Sequence, residues 1–232
     1  MSIGFDDRKL DFISIEDIQK MHTLGGENFA IFAQSIDGVI GADNDLLWYL
    51  SEDLSFFKNV TLNNNIIMGK NTWLSLPHKP LPKRNNIVVS SSLDNVEQST
   101  IVVNSIDKST NVMRNNGYNF FIGGSQIYNY VLEKNIVDGV YVTIVDFVDT
   151  NSEFSHIENV KNTETIVYAP SLSKNYVLCA ETDWIVSKNG YIKHDKEKNK
   201  IKYKVMFYRK NRYIKYNIDI NNIYHYHKVS PN

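Results

Sequence analysis

Short apolar runs alternate with helical segments along most of the chain, and this alternation constrains the fold more than any other feature. Six runs rich in β-branched and aromatic residues are typical of strands: FAIFAQS (29–35), NIIMG (65–69), NIVVSS (86–91), TIVVN (100–104), YNFFIGG (118–124) and GVYVTIVDF (139–147). Helices are predicted between them at 51–61, directly after Lys70, at 105–116 and at 124–134. Several runs are almost continuously apolar, as in strands buried on both faces. The sequence therefore predicts an α/β fold whose mostly parallel sheet is covered on both sides.

The C-terminal part of this region has a different pattern. Two strand-like runs, NYVLCAETDWIVS (175–187) and IKYKVMFYRK (201–210), have no helix between them. A polar segment containing KNG and HDKEKNK joins them, and we interpret it as a solvated turn. The two runs are therefore expected to pair antiparallel.

Both ends of the chain are predicted to be extensions of one central domain. Residues 1–26 contain a short helix that begins at Ser14, with Asp17 in the capping position and Gly25-Gly26 after it. Residues 211–232 show strand-like alternation and a possible Asn-Asn turn, which predicts a hairpin. The predicted organisation is an N-terminal extension (1–26), an α/β domain (27–210) and a C-terminal extension (211–232). We expect the first extension to be dispensable, and the tails to be candidates for docking or oligomerisation.

The bulk composition excludes several classes of protein. With 25 basic and 26 acidic residues the net charge is −1, which does not indicate binding to nucleic acid or to a membrane surface. The single cysteine, Cys179, cannot form an internal disulfide. The N-terminus lacks the apolar core of a signal peptide, and no apolar run approaches the ~20 residues of a membrane span. We expect a soluble, cytoplasmic protein.

Asp53 is the first candidate functional residue. It lies near the start of the predicted 51–61 helix, close to Trp48, and Ser51 is predicted to be the N-cap. The apolar face of this helix consists of Leu50, Leu54 and Phe57. Acidic residues are favoured in the first turn of any helix, so Asp53 is either a solvated first-turn residue or a buried acid with a chemical role.

Three strand ends carry residues suited to a phosphorylated ligand. The motif IIMGKNTW (66–73) offers a cation and a hydroxyl at a helix start, and VVSSS (88–92) offers serines. IGGSQIY (122–128) leaves a strand through two glycines, which let a ligand approach the backbone but also make ordinary tight turns. In a doubly wound sheet these ends meet at one edge, and together they favour a dinucleotide.

These motifs, in this order, resemble the dihydrofolate reductase family. The residues that carry the resemblance are DGVIGADNDLLW (37–48), DLSFFK (53–58), IIMGKNTWLSL (66–76), PLPKRNNIVVSS (80–91), IGGSQIY (122–128) and Thr143 in YVTIVD. The likeness spans about residues 28–210. It implies a three-layer fold with a mostly parallel eight-stranded sheet, an antiparallel C-terminal strand and flanking helices. It also implies the NADPH-dependent reduction of 7,8-dihydrofolate to 5,6,7,8-tetrahydrofolate, with antifolate-type molecules as further ligands and no metal.

The resemblance also implies a role for each matching residue. Asp53 matches the acid that grips the pterin, Trp48 the tryptophan that holds an ordered water, and Thr143 the hydroxyl that supports the acid. The implied substrate-binding residues are Asp53, Leu54, Phe57, Ile40 and Arg84, the last of which pairs with the glutamate carboxylate of folate. The implied cofactor-binding residues are Ala33, Ile40, Gly41, Gly69, Lys70, Asn71, Thr72, Ser90, Ser91, Ile122, Gly123, Gly124, Ser125, Gln126, Ile127 and Tyr128.

The sequence departs from the family pattern at four places. Leu47 replaces a proline before the tryptophan, in the segment 37–50 that is expected to act as a lid. Gln126 replaces a basic residue, one extra residue fits around 77–79, and Asn151 stands where an aspartate is common. These changes are expected to alter rate or cofactor affinity without removing a catalytic group.

Two other functions remain open at this point. A pterin or pyrimidine reductase on the same fold is disfavoured by Asp53 beside Trp48 with Arg84 downstream, and a non-catalytic folate- or NADPH-binding component is disfavoured by the complete catalytic set. A metal shared by His225 and His227 has no evident third ligand. The remaining histidines are predicted to lie on the surface: His22, His78, His156 and His194.

Overall fold

The computed structural model describes residues 12–43, 45–94, 96, 99–113, 117–147, 165–193 and 200–211. Its strands are β1 (Asn28–Ser35), β2 (Val39–Ala42), β3 (Trp48–Tyr49), β4 (Asn65–Gly69), β5 (Asn85–Val89), β6 (Thr100–Val103), β7 (Asn119–Gly123), β8 (Gly139–Phe147), β9 (Ile166–Tyr168), β10 (Tyr176–Glu181), β11 (Ile185–Ile192) and β12 (Lys200–Lys210). Its helices are α1 (Ile15–Ile18), α2 (Ser51–Thr61), α3 (Lys70–Ser75), α4 (Ile106–Ser109) and α5 (Ser125–Glu133), with 3₁₀ turns at Met21–Leu24 and Thr110–Val112.

A large mixed sheet organises the described residues. Its order is β3-β11-β12-β8-β1-β7-β4-β5-β6, with β10 also pairing with β12, while β2 and β9 form a separate pair. The six neighbours from β8 to β6 are parallel, and β12 is antiparallel to β8. The predicted α/β class with an antiparallel C-terminal strand is confirmed. The sheet has ten described strands rather than eight, because β3 joins it and the predicted 175–187 run is split into β10 and β11.

The predicted loop between the last two strands begins later than expected, so its predicted start is wrong. The KNG segment lies inside β11, which continues to Ile192. Pairing between β11 and β12 shifts register between Val186 and Tyr191, so a bulge accommodates these polar residues within the strand.

The helices follow the predicted positions, with two corrections. The residue that caps α2 is Leu50 rather than Ser51, and it makes no side-chain capping bond. Of the segment predicted as a helix over 105–116, the described residues 105–113 form α4 and one 3₁₀ turn. Ser105 caps α4 by accepting the amide hydrogen of Lys108. Two apolar clusters cover the two faces of the sheet, one centred on Phe29, Phe56 and Phe120 and the other on Ile67, Phe121 and Val131.

Four asparagine side chains form a hydrogen-bonded ladder at the starts of four neighbouring parallel strands. The Nδ2 of Asn119 donates to Asn28 Oδ1 (2.9 Å), Asn65 donates to Asn119 (2.7 Å), and Asn85 donates to Asn65 (2.8 Å). Asn65, Asn85 and Asn119 are buried, so these amides satisfy one another where water is excluded. The ladder therefore favours one register across β1, β7, β4 and β5.

Residues 13–26 pack on the main sheet. Ile18 is fully buried in the cluster that contains Phe29, and the amide of Ile13 donates to the Glu181 carbonyl (3.1 Å). The prediction of a surface position is wrong for His22, which is buried, whereas His78 is exposed as predicted. The backbone amide of His22 donates to the Tyr141 hydroxyl (2.8 Å), and burial lowers the pKa of its ring to about 4.

The other predictions for the chain ends and loops lie outside the described residues: the 211–232 hairpin after its first residue, Asn151, His156, His194, His225 and His227. Among the described residues, no helix is long and apolar enough to cross a membrane.

Candidate active site

Asp53 is held at the carboxyl end of the parallel strands by Thr143. The first turn of α2 carries Asp53, and its Oδ1 accepts a hydrogen bond from Thr143 Oγ1 on β8 at 2.6 Å. Thr143 is buried and Asp53 is partly buried. Desolvation raises the pKa of Asp53 to about 6, against the opposing effect of the Thr143 hydrogen bond. Asp53 is therefore a perturbed acid, poised to titrate near neutral pH.

Trp48 places a polar donor in an apolar setting. It lies in β3, three residues before the first residue of α2, and only 1% of its surface is exposed. Its indole Nε1 is buried and has no hydrogen-bond partner among the described protein groups. A buried indole N–H is normally paired, so this donor is suited to a ligand or a bound water.

Tyr128 connects the glycine-rich strand end with the acid. Its hydroxyl donates to the carbonyl of Ile31 (2.9 Å). Burial first, and then the charge of Asp53, raise the pKa of Tyr128 above its usual range. The phenol is therefore neutral, and the effect of the Asp53 charge on its pKa indicates that the two side chains lie near each other.

The backbone at Gly123 requires glycine. This residue has φ +115°, and a Cβ there would lie 3.0 Å from the Tyr128 hydroxyl. The peptide between Gly123 and Gly124 is cis. A Cβ on Gly124 would lie 3.4 Å from Thr72 Oγ1, so the ends of β4 and β7 are close together. Gly124 then caps α5 without a side-chain bond, and no acidic residue occupies the first turn of that helix.

Lys70 contacts a serine that is not among the predicted cofactor-binding residues. Its Nζ donates to Ser92 Oγ (3.0 Å), and the Ser92 amide donates to Ser90 Oγ (3.2 Å). Ser91, a predicted cofactor contact, is exposed, and so is Ser92. The three consecutive serines at 90–92 were the available signal, but spacing alone could not select which one faces Lys70.

Arg84 is held by three protein acceptors. Its Nε donates to Thr61 Oγ1 (3.3 Å), Nη1 to the Pro82 carbonyl (2.9 Å) and Nη2 to the Lys58 carbonyl (3.2 Å). The side chain is buried, and desolvation lowers its pKa. A guanidinium has five N–H donors, so one N–H on each terminal nitrogen is left by these contacts for a carboxylate.

The other predicted residues divide into buried supports and exposed positions. Leu54 is 49% exposed on α2, whereas Phe57 is partly buried against the cluster that contains Phe56. Ile40 packs against the opposite cluster, so the described contacts do not bring these apolar residues together. The buried or partly buried predicted residues are Ala33, Gly41, Gly69, Thr72, Ser90, Ile122, Ser125 and Ile127. Asn71 and Gln126 are exposed.

The predicted lid segment at 37–50 is attached to two other elements. Val39–Ala42 pairs with β9, and Asp43 Oδ1 accepts the amide hydrogen of Thr165 (3.2 Å). Asp45 forms an ion pair with Lys193 (2.7 Å), whose amide donates to the Leu47 carbonyl (2.8 Å). These contacts border the residues around Trp48.

Comparison with known proteins gives a consistent result. The sequence profile of the family described as dihydrofolate reductase matches residues 29–210. Over 113 residues the chain is 40% identical to a dihydrofolate reductase of Bacillus subtilis strain 168, an alignment that covers 49% of this chain and 66% of that protein. It is 39% identical over 104 residues to one of Mycobacterium leprae, covering 44% and 63%. It is 32% identical over 144 residues to one of Neisseria gonorrhoeae, covering 60% and 88%. The chain thus spans slightly less than two thirds of the first two relatives.

Proposed function

The chain belongs to the dihydrofolate reductase family, and on this premise we propose that it catalyses the NADPH-dependent reduction of 7,8-dihydrofolate to 5,6,7,8-tetrahydrofolate in the cytoplasm. The observation that carries the proposal is the hydrogen bond of 2.6 Å between Thr143 and the desolvated acid Asp53. Water would satisfy the carboxylate of a solvated first-turn aspartate, so such a residue would not require a hydrogen bond from a buried threonine on a strand. The contact supports the interpretation of Asp53 as a functional acid.

Asp53 is proposed to hold the pterin ring. A pterin presents an amino group and a ring N–H side by side, and a carboxylate accepts both with its two oxygens. Thr143 fixes the orientation of this carboxylate through Oδ1. Charge-assisted bonds of this kind offset the desolvation that raises the pKa of Asp53.

Asp53 and Trp48 are proposed to guide the proton that accompanies reduction. Nitrogen 5 of the pterin gains this proton, and an acid whose pKa is about 6 exchanges protons readily near neutral pH. The unpaired Nε1 of Trp48 supplies a donor that can hold a water molecule. We propose that Asp53 polarises the pterin while this water delivers the proton.

The strand ends of β4, β5 and β7 fit a dinucleotide phosphate. The glycine pair at 123–124 lets the backbone pack against Tyr128 and Thr72, where a Cβ would come within 3.0 and 3.4 Å, and the uncapped first turn of α5 presents free amides to an anion. Lys70 and Ser92 add a cation and a hydroxyl at the neighbouring ends. We assign Lys70, Thr72, Ser92 and the start of α5 to NADPH; the chemistry that bound NADPH supplies is a hydride for carbon 6 of the pterin.

Arg84 is proposed to receive the carboxylate at the other end of the substrate. Its remaining N–H groups form a fork that matches a carboxylate, and its protein contacts fix the fork in place. This assignment explains why an arginine is buried without an acidic partner among the contacts described for it.

A steady-state assay with the full chain tests the proposal. Absorbance of NADPH is followed with and without dihydrofolate, and we expect oxidation only when both are present. Folded protein that binds NADPH but never turns over dihydrofolate would contradict the proposed function.

A further inference from the structure

The end of α2 that carries Asp53 lacks ordinary helix capping. Leu50 stands at the N-cap in an extended conformation, with no side chain able to accept an amide hydrogen. Ser51, in the first turn, donates its hydroxyl to Glu52 Oε2 (2.9 Å) instead. The orientation of this turn must therefore depend on contacts outside the helix.

Glu52 provides such a contact. Its Oε1 accepts hydrogen bonds from Ser187 Oγ (2.9 Å) and from the backbone amide of Lys188 (3.1 Å), both on β11. Burial raises the pKa of Glu52, but its hydrogen bonds, including those from Ser51, Lys188 and Ser187, outweigh this effect and the pKa is lowered. The carboxylate thus remains ionised and fully engaged when Asp53 titrates.

The bulge in β11 fixes the donors that Glu52 uses. Ser187 Oγ accepts the amide hydrogen of Gly190 (2.7 Å) while it donates to Glu52. A Cβ at position 190 would lie 2.6 Å from Ser187 Oγ and 2.7 Å from Cγ1 of Ile201, so the bulge requires glycine. Ser187 has little freedom to rotate away.

The same strand also carries the segment around Trp48. Tyr191 and Ile192 pair with Tyr49 and Trp48 respectively. Strand β11 is therefore bonded directly to β3 and to Glu52, the residue next to Asp53. The two candidate catalytic side chains take their relative position from one strand.

We propose that Glu52 is a positioning residue: bound to the β11 bulge, it orients the first turn of α2 so that Asp53 meets Thr143. This inference rests on the proposed function. Glu52 itself touches none of the groups assigned to substrate or cofactor. Its contribution acts through Asp53, and it depends on hydrogen-bond acceptance rather than on negative charge, because its partners are a hydroxyl and an amide.

The test compares Glu52→Ala with Glu52→Gln in the full chain. Glutamine keeps an acceptor for Ser187 and Lys188, so we expect it to retain kcat within about twofold. Alanine should lower kcat about tenfold, since small displacements of a catalytic group are costly, and leave the KM for NADPH nearly unchanged. Equal losses in both variants, or full activity of the alanine variant, would overturn the proposal.

Two further variants separate positioning from stability. Glu181→Ala removes a carboxylate bound to Lys204 (2.6 Å) on the same sheet and should leave kcat unchanged. Ser187→Ala removes one donor and should lower kcat about threefold, and adding it to Glu52→Ala should lower kcat no further. Additive losses would contradict the proposed link. If Glu52→Ala does not fold, Ser187→Ala and Glu52→Gln still decide the question.

A measurement without turnover separates this proposal from the proposed function. The carboxyl carbon signal of Asp53 in ¹³C-labelled protein should match wild type in Glu52→Gln and shift in Glu52→Ala or Ser187→Ala. An inactive wild type would refute only the proposed function, whereas an unmoved Asp53 signal would refute the positioning role.

Discussion

Replacing Asp53 with asparagine should stabilise the protein at neutral pH. The pKa of Asp53 is raised from 3.8 to about 6 in the folded state, chiefly by desolvation. Its folded-state pKa lies above the unfolded value, so the folded protein binds the proton more tightly. Stability associated with this group is therefore present at low pH and is lost as the pH rises from about 4 to about 6.

The magnitude follows from the size of the rise in pKa. A rise of about 2 corresponds to about 3 kcal/mol of unfolding free energy, of which about half is already lost at pH 5. Asp53 retains some exposure, so we expect Asp53→Asn to be about 1–3 kcal/mol more stable than wild type at pH 7. Asparagine keeps an oxygen that accepts the Thr143 hydrogen bond.

Urea unfolding of both proteins at pH 7.5 and pH 5 measures this effect. Taking the difference between variants removes the opposing contribution of His22, whose pKa of about 4 lowers stability as the pH falls from 6.5. We expect the advantage of the asparagine variant to shrink by roughly half at pH 5. A variant less stable than wild type at pH 7.5, or an advantage independent of pH, would refute the desolvation argument.

Three more predictions concern the cofactor, the sheet and the N-terminus. Lys70→Ala should raise the KM for NADPH about tenfold and leave that for NADH nearly unchanged, in steady-state assays with each cofactor; equal losses would place the 2′-phosphate elsewhere. Asn65→Ala interrupts the asparagine ladder and should lower the free energy of unfolding by about 2–4 kcal/mol in urea, because buried amides lose partners; a loss below about 0.5 kcal/mol would contradict the role of the ladder. Deleting residues 1–24 removes Ile18 and His22 from the core and should prevent stable folding by circular dichroism, whereas a deletion that keeps activity would mean those contacts are dispensable.

Local pattern predicted the elements of the fold well. The bounds of α2 agree with the predicted 51–61, and the family match over residues 29–210 confirms the resemblance. Apolar runs and helix periodicity depend on neighbours in sequence, which is why they could be read from the chain alone.

What the sequence did not predict depends on partners distant in the chain. His22 is buried because Tyr141, 119 residues away, satisfies its backbone amide. Glu52 is not among the predicted site residues, because its donors on β11 are 135 and 136 residues away in the chain. The expectation that residues 1–26 are dispensable did not include the burial of Ile18 in the core cluster that contains Phe29, which the sequence alone does not show.

The asparagine ladder is a different case, because its signal was present in the sequence. Asn28, Asn65, Asn85 and Asn119 each stand at the first residue of a strand. Asn65 and Asn119 lie inside predicted strands, whereas Asn28 and Asn85 stand just before them, and no role was predicted for any of the four. Only the parallel register shows that their side chains meet.

The central claim is that Asp53 is the working acid, and its most direct test is the rate of dihydrofolate reduction by Asp53→Asn across pH. The account predicts a folded variant whose rate at neutral pH is reduced by about a hundredfold or more. It also predicts partial recovery in acid, where the substrate is protonated in solution. A folded variant with the wild-type rate at neutral pH would show instead that Asp53 is only a structural residue at the start of α2.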